Sequence, residues 1–259
     1  MHVLMVYSEA GGVTKTTTAV SVAMIAAQHG HAAVLIDLDP RAAATRWLNV
    51  EPAGPGLHVG AIMADPAPHG WVDQIAVPSP WHPGLRVVPS ARSLSNRETE
   101  RADHAELRLT MALRSSTADV VVLDCPNRQG GLLTQSALTA ADAVLYAATA
   151  TQDGVDGYTG ARTAVEAWRR SRDLIGAPAS LREAGIAVGA VEPTILSRPT
   201  LASLDTLRDS GLLLTPLIPR RAIVGECRIA GLWYGDYTKG APVLDAYQQI
   251  YAQLGDIHG

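Results

Sequence analysis

The chain reads as an α/β protein with a doubly wound, mostly parallel sheet flanked by helices, and three observations predict it. Four short apolar runs rich in β-branched residues, at 2–7, 33–36, 120–123 and 143–146, are each followed by a turn and a helix-like stretch. Their apolarity is continuous rather than alternating, as strands buried on both faces require. The segments 16–28 and 157–175 space alanines and apolar residues three or four apart, the period of a helix with one buried face. Strand, turn, helix and strand again is the rhythm of βαβ units.

The remaining segments fill in that plan. Runs at 186–191 and 213–218 are expected to extend the sheet, and 51–83, rich in Pro, Gly and His, is expected to be an irregular surface excursion within a single domain spanning 1–259. With 47% apolar and 18% charged residues the composition is globular. No run approaches the roughly 20 apolar residues that span a bilayer. The opening residues lack a basic n-region and lead into a glycine-rich turn, so they are expected to be a core strand and the protein cytoplasmic. Cys125 and Cys227 form neither a disulfide framework nor a metal-ligand cluster, which fits a reducing compartment. The net charge of -4 means that any nucleic-acid contact must come from a local patch. Of 21 basic residues only Lys15 and Lys239 are lysine, so positive charge comes almost wholly from arginine.

Chemistry concentrates where the first strand ends, at Ser8-Glu9-Ala10-Gly11-Gly12-Val13-Thr14-Lys15-Thr16-Thr17-Thr18. Strand, Gly-rich loop and helix is the context of a phosphate loop. Backbone N–H groups from Gly11, Gly12, Val13 and Thr14 can approach phosphate oxygens, the helix N-terminus adds partial positive charge, and Lys15 supplies a point charge. Thr16 is placed to put its hydroxyl on Mg²⁺, with Thr17 near the α-phosphate of ATP or ADP. Position 14 is Thr where the standard Walker A motif has Gly. The run instead resembles the deviant form Lys-Gly-Gly-x-x-Lys-Ser/Thr of the ParA/MinD superfamily, except that Ala10 stands at its first position. In that family the lysine there reaches phosphates held by the partner subunit of an ATP-sandwiched dimer.

Two further motifs strengthen the resemblance. Asp37-Leu38-Asp39-Pro40-Arg41 resembles the family's Walker A′ segment, usually Asp-x-Asp-Pro-Gln. Strand alternation puts Asp37 and Asp39 on one side, aimed out of the C-terminal sheet edge, and the resemblance implies that Asp39 orients the attacking water, with Asp37 beside it in the catalytic set. The run 120–123 closes on Asp124, which in a Walker B role holds Mg²⁺ through its water shell. Val88-Pro89-Ser90, Gly131-Leu132-Leu133-Thr134-Gln135-Ser136-Ala137-Leu138 and Ile218-Pro219-Arg220-Arg221 also look like ParA, the last resembling the segment whose Pro219 and Arg220 would lie against adenine.

With no segment ahead of the first strand, the chain resembles the small ParA type without a helix-turn-helix. What that implies is an ATP-dependent homodimer that binds DNA without sequence preference, works in the nucleoid, and hydrolyses ATP slowly until a ParB-like adaptor stimulates it. Arg198, Arg208, Arg220, Arg221 and Arg228 are the candidates for phosphate contacts to DNA. Arg41 and Arg128, each directly after a phosphate-side motif, are the candidates to replace the charge missing at Ala10. A membrane partner is not expected, because 241–259 carries Asp245 and Asp256 and neither Lys nor Arg, the reverse of what anionic lipid attracts. Two other readings stay open: a ParA-like ATPase that positions a protein cargo, such as a microcompartment or receptor cluster, and a metabolic ATP-dependent enzyme on the same fold.

Overall fold

A computed structural model describes residues 1–192 and 196–255; Asp256 lies outside the described residues. Seven strands form one sheet in the order β3-β4-β2-β5-β1-β6-β7. They are β1 (His2–Tyr7), β2 (Ala33–Asp37), β3 (Val77–Pro78), β4 (Leu85–Val88), β5 (Val120–Asp124), β6 (Ala143–Thr149) and β7 (Arg182–Gly189). Every pair is parallel except the short β3–β4 edge. The helices are α1 (Lys15–Gln28), α2 (Ala43–Trp47), α3 (Val59–Ala64), α4 (Trp71–Ile75), α5 (Arg108–Leu113), α6 (Leu132–Ala140), α7 (Gln152–Leu174), α8 (Arg198–Asp209), α9 (Ala222–Ala230) and α10 (Ala241–Gln253).

Both sheet faces are covered, and β1 shows how. Val3, Met5 and Tyr7 enter the core that includes Val59, Leu109, Leu133 and Val165. Leu4 and Val6 enter the opposite core with Ala23, Trp47 and Tyr247. Period-two alternation therefore sends successive side chains into two apolar layers, which is why the strand's sequence is apolar throughout. The C-terminal helix is part of this packing: Val243, Ala246, Tyr247, Ile250 and Tyr251 of α10 are buried, and Tyr247 shares a 3.0 Å hydroxyl hydrogen bond with Thr18 of α1. Its apolar face is thus spent on the core. Among the described residues no helix is long and apolar enough to cross a membrane.

Three segments differ from expectation. The helix expected at 157–175 begins earlier, at Gln152, where Thr151 accepts a hydrogen bond from the Gly154 amide as N-cap. Gly154, Gly157 and Gly160 hide that first turn in the sequence, since glycine reads as a helix breaker. The run 213–218 is not a strand. It is an extended segment joined to the β7 side by bridges at Ile186–Leu213 and Val191–Pro219, with Pro216 and Pro219 removing donors that a ladder needs. The stretch 51–83 carries α3, α4 and β3, and Val59, Ile62, Met63, Val72 and Ile75 are buried in the core. Its surface portion is the Pro- and Gly-rich connection between these apolar anchors.

Candidate functional site

β1 lies at the centre of the sheet, between β5 and β6, so the loop after Tyr7 emerges at a crevice where strand order diverges, the place where open α/β sheets bind ligands. The loop turns through two left-handed residues, Gly12 (φ 73°) and Thr14 (φ 68°). Glycine adopts that region freely, whereas Thr14 is a strained exception of the kind found at functional loops. No side chain caps α1 and no acid occupies its first turn, leaving the positive end of the helix available to an anion. Lys15 is buried, and its Nζ donates to the Ala10 carbonyl at 2.6 Å. Burial lowers its pKa, partly opposed by the carboxylates of Asp124 and Asp39. The loop therefore holds a desolvated cation whose hydrogen-bond partner is a neutral carbonyl.

The carboxylates take different roles. Asp124 ends β5 with only 1% exposure and sits across from Asp37 in the β2–β5 register. Burial first, then the Asp37 charge, pushes its pKa well up, while a hydrogen bond from the Thr16 side chain pulls the other way. Its Oδ2 is buried without a hydrogen-bond partner among the described residues. A hydroxyl and an orphaned carboxylate oxygen side by side are hard oxygen donors, the set that a Mg²⁺ ion shared with phosphates requires. The residues fit that ion.

Asp37 and Asp39 do not share the surface that strand alternation led us to expect. Asp37 is fully buried; its carboxylate accepts from the Thr45 amide (2.9 Å), the Thr45 hydroxyl (2.7 Å) and the Asp39 amide (3.1 Å). Burial raises its pKa. It pins the start of α2 and the turn that carries Asp39. The strand ends at Asp37, so alternation stops governing direction there. Asp39, in contrast, lines the cavity, and its Oδ1 accepts from the Arg41 amide at 2.8 Å in an Asx turn. Ser90 of the Val88-Pro89-Ser90 segment supports this turn, its hydroxyl donating to the Asp39 carbonyl and its amide to Thr45 Oγ1.

The phosphate-loop cavity encloses about 250 Å³ and is lined by residues 11–17 together with Asp39, Arg41, Ala43, Arg46, Asn127 and Arg228. A second cavity sharing Gly12, Thr14, Thr17 and Arg228 is walled by Ile218, Pro219, Val224, Val243 and Tyr247, with Arg220 and Arg221 at its edge. Pro219 and Arg220, the residues expected to lie against adenine, line this second cavity. The candidate arginines divide. Arg41 is in the phosphate cavity, close enough for its charge to act on Lys15. Arg128 is turned to Glu98 at 3.5 Å and is half-exposed. Arg208 pairs with Asp205, Arg220 pairs with Glu192 at 3.0 Å, and Arg198 is exposed at the start of α8. Arg228, also expected among DNA contacts, lines the phosphate cavity. Sequence reasoning missed Arg46, Asn127, Val243 and Tyr247. Asn127 carried a signal, three residues past Asp124 on the phosphate side, whereas the α10 residues carried none.

The chain is similar to known proteins in sequence and in fold. A family model described as AAA domain matches residues 1–172. The sporulation initiation inhibitor protein Soj of Bacillus subtilis is 34% identical over 147 residues, 55% of this chain and 56% of that protein. The chromosome-partitioning ATPase Soj of Thermus thermophilus is 29% identical over 248 residues, 95% of this chain and 92% of that one. The chain belongs to the ParA family of P-loop ATPases. Most curated relatives it matches are spanned over about half their length. In fold it is similar to the ATP complex of a Cyanothece McdA variant, with a TM-score of 0.82 at 20% identity, covering 98% of this chain and 96% of the other.

In this ParA-family chain, α7 sets the height of the phosphate loop. The Glu9 amide donates to the Gly157 carbonyl at 3.1 Å, and a Cβ on Gly157 would lie 2.5 Å from Ala10 Cβ and 2.8 Å from the Ala10 nitrogen. Neither atom is a flexible side-chain end, so Gly157→Val must push the loop and α7 apart. We expect a nucleotide affinity at least roughly tenfold weaker, since a displacement of about 1 Å in positioned groups is enough to cost that much. Titration with ATP alongside circular dichroism checks it; unchanged affinity in a folded variant would refute the coupling.

Proposed function

We propose that this protein is an ATP-driven switch of the partition type: it binds ATP with Mg²⁺, dimerises on ATP, binds DNA without sequence preference, and hydrolyses ATP slowly until an adaptor of the ParB type stimulates it in the nucleoid. The observation that carries the reading is the juxtaposition, at the crevice beside β1, of an uncapped helix N-terminus, buried Lys15, the Thr16–Asp124 pair and Asp39. Lys15 and the amides of 11–17 bind and orient the phosphates. Thr16 and Asp124 would hold Mg²⁺, which when bound neutralises charge developing between the terminal phosphates. Asp39 accepts a hydrogen bond from the attacking water and aims it, while Asp37 acts as a positioning residue through Thr45 and the Asp39 amide.

Such a site favours slow turnover, because phosphoryl transfer depends on positive charge placed against the transition state, and position 10 offers none. The cytoplasmic, nucleoid-bound setting follows from this cycle.

The deciding experiment measures DNA retention and oligomeric state without nucleotide, with ADP, with ATP and with a non-hydrolysable analogue, at two salt concentrations. ATP-dependent dimers whose DNA binding falls steeply with salt, with a log–log slope near about -0.9 per phosphate neutralised, are expected. Nucleotide binding with neither dimer nor DNA would sink the reading.

A further inference from the structure

Three guanidinium groups in the phosphate cavity, those of Arg41, Arg46 and Arg228, have no acid to answer them, and that of Arg46 donates to the Arg41 carbonyl. Arg86, Arg97, Arg108, Arg128, Arg208 and Arg220 all pair with a carboxylate. The side chains of Arg41 and Arg228 make no hydrogen bond or ion pair with any described residue. Arg41 follows the Asp39 turn. Arg228 arrives from a distant helix, and it is the more informative of the two because it lines both the phosphate-loop cavity and the base-side cavity, at their junction.

The helix that carries it packs Ile223, Val224 and Cys227 against the body of the protein. Of the nine residues of α9 only Cys227 is buried, and no side chain caps its start. Its far end is anchored instead: Gly231 turns the chain with φ 71°, the Trp81 indole donates to the Gly231 carbonyl at 3.0 Å, and the Trp47 indole donates to the Leu232 carbonyl at 3.0 Å. The outer face is bare, with Ile229 91% exposed. The helix thus has a packed inner face, a bare outer face and an exposed, unpaired cation on the wall of a ligand cavity, where a bound anion can pull on it.

We propose that Arg228 is a phosphate contact of the nucleotide site and that α9 is its sensing element. This rests on the nucleotide-binding reading above. A phosphate chain running from the base-side cavity to the phosphate loop passes the junction where Arg228 sits. Guanidinium and phosphate form charge-assisted, often paired hydrogen bonds. Occupancy therefore draws α9 onto the body of the protein, and the helix reports the nucleotide state on the face that carries Ile229.

The test is calorimetric titration of ATP and ADP with Mg²⁺ into wild type, Arg228→Ala and Arg228→Lys, with hydrogen exchange over 222–230 on the same samples. Arg228→Ala is expected to bind ATP roughly tenfold more weakly, the worth of one hydrogen bond to a charged group. ATP is expected to slow exchange across α9 in wild type and not in Arg228→Ala, with Arg228→Lys retaining part of the effect. Equal exchange of the two nucleotide-free proteins shows that the substitution leaves the fold intact. Unchanged affinity and unchanged protection in Arg228→Ala would overturn the proposal. So would a loss of salt-sensitive DNA retention at unaltered nucleotide affinity, which would make Arg228 a DNA contact. A wild type that binds no nucleotide at all sinks the underlying site reading, a result distinct from either.

Discussion

Asp39→Ala is expected to keep ATP bound and to slow its hydrolysis by roughly 10²- to 10⁴-fold, the range contributed by a group that positions or accepts a proton in the transition state. The geometry separates this residue from its neighbours. Asp39 lines the cavity, one of its oxygens is committed to the Arg41 amide, and the other is not engaged by any described residue. Asp37 and Asp124 are buried and do not line that cavity. Single-turnover hydrolysis and equilibrium binding, measured together, distinguish the roles, because loss of affinity would place Asp39 in binding rather than in the chemical step. Asp39→Asn keeps the Asx turn and should slow hydrolysis almost as much. A variant that hydrolyses ATP at the wild-type rate removes Asp39 from the mechanism.

Lys15→Met should produce two opposite effects. Affinity for ATP is expected to fall by roughly 10- to 100-fold or more, since the lysine is the one buried cation on the loop and charge-assisted hydrogen bonds are strong. Without nucleotide, the same variant should melt no lower than wild type, and above it at neutral pH. The sign follows from the lowered pKa. A lysine whose folded pKa lies below its unfolded value binds fewer protons when folded, so keeping it charged opposes folding at pH values below the unfolded pKa. Methionine fills a similar volume without that penalty. Thermal melts with and without Mg·ADP test both arms: the variant should lose the ligand-induced rise while keeping or raising the apo midpoint. An apo midpoint well below wild type would show that the Lys15–Ala10 hydrogen bond stabilises the loop more than burial of the charge opposes it.

Much of the fold was legible because the central strands are buried on both faces. The β1 run 2–7 coincides with its observed bounds, and β2 and β5 run one residue beyond theirs to include Asp37 and Asp124. The chain was harder to read where local and tertiary preferences conflict. The glycines of α7 disfavour a helix locally and are present because Gly157 and Gly160 pack against residues 8–10. The apolar run 213–218 promised a strand, yet its prolines leave it only bridges to the sheet. Within 51–83 the helix-spaced Val59, Ile62 and Met63 were outweighed by the Pro and Gly around them.

At the site, local sequence determined the glycine-rich loop with Lys15, the Thr16 and Asp124 oxygens and the cavity-lining Asp39, because each is set by a few consecutive residues at the end of a central strand. Strand position dictates where such a loop emerges, and side-chain chemistry dictates what it holds. Only the tertiary structure decided which of the many arginines meet the ligand cavity, that Asp37 faces inward, and that Tyr247, paired with Thr18 across 229 positions of sequence, joins Pro219 in walling the base side. No local rule links residues so distant; they are brought together by the packing of α9 and α10 against the α1 side of the sheet, driven by the burial of Tyr234, Tyr247, Trp47 and Trp233 in one apolar layer.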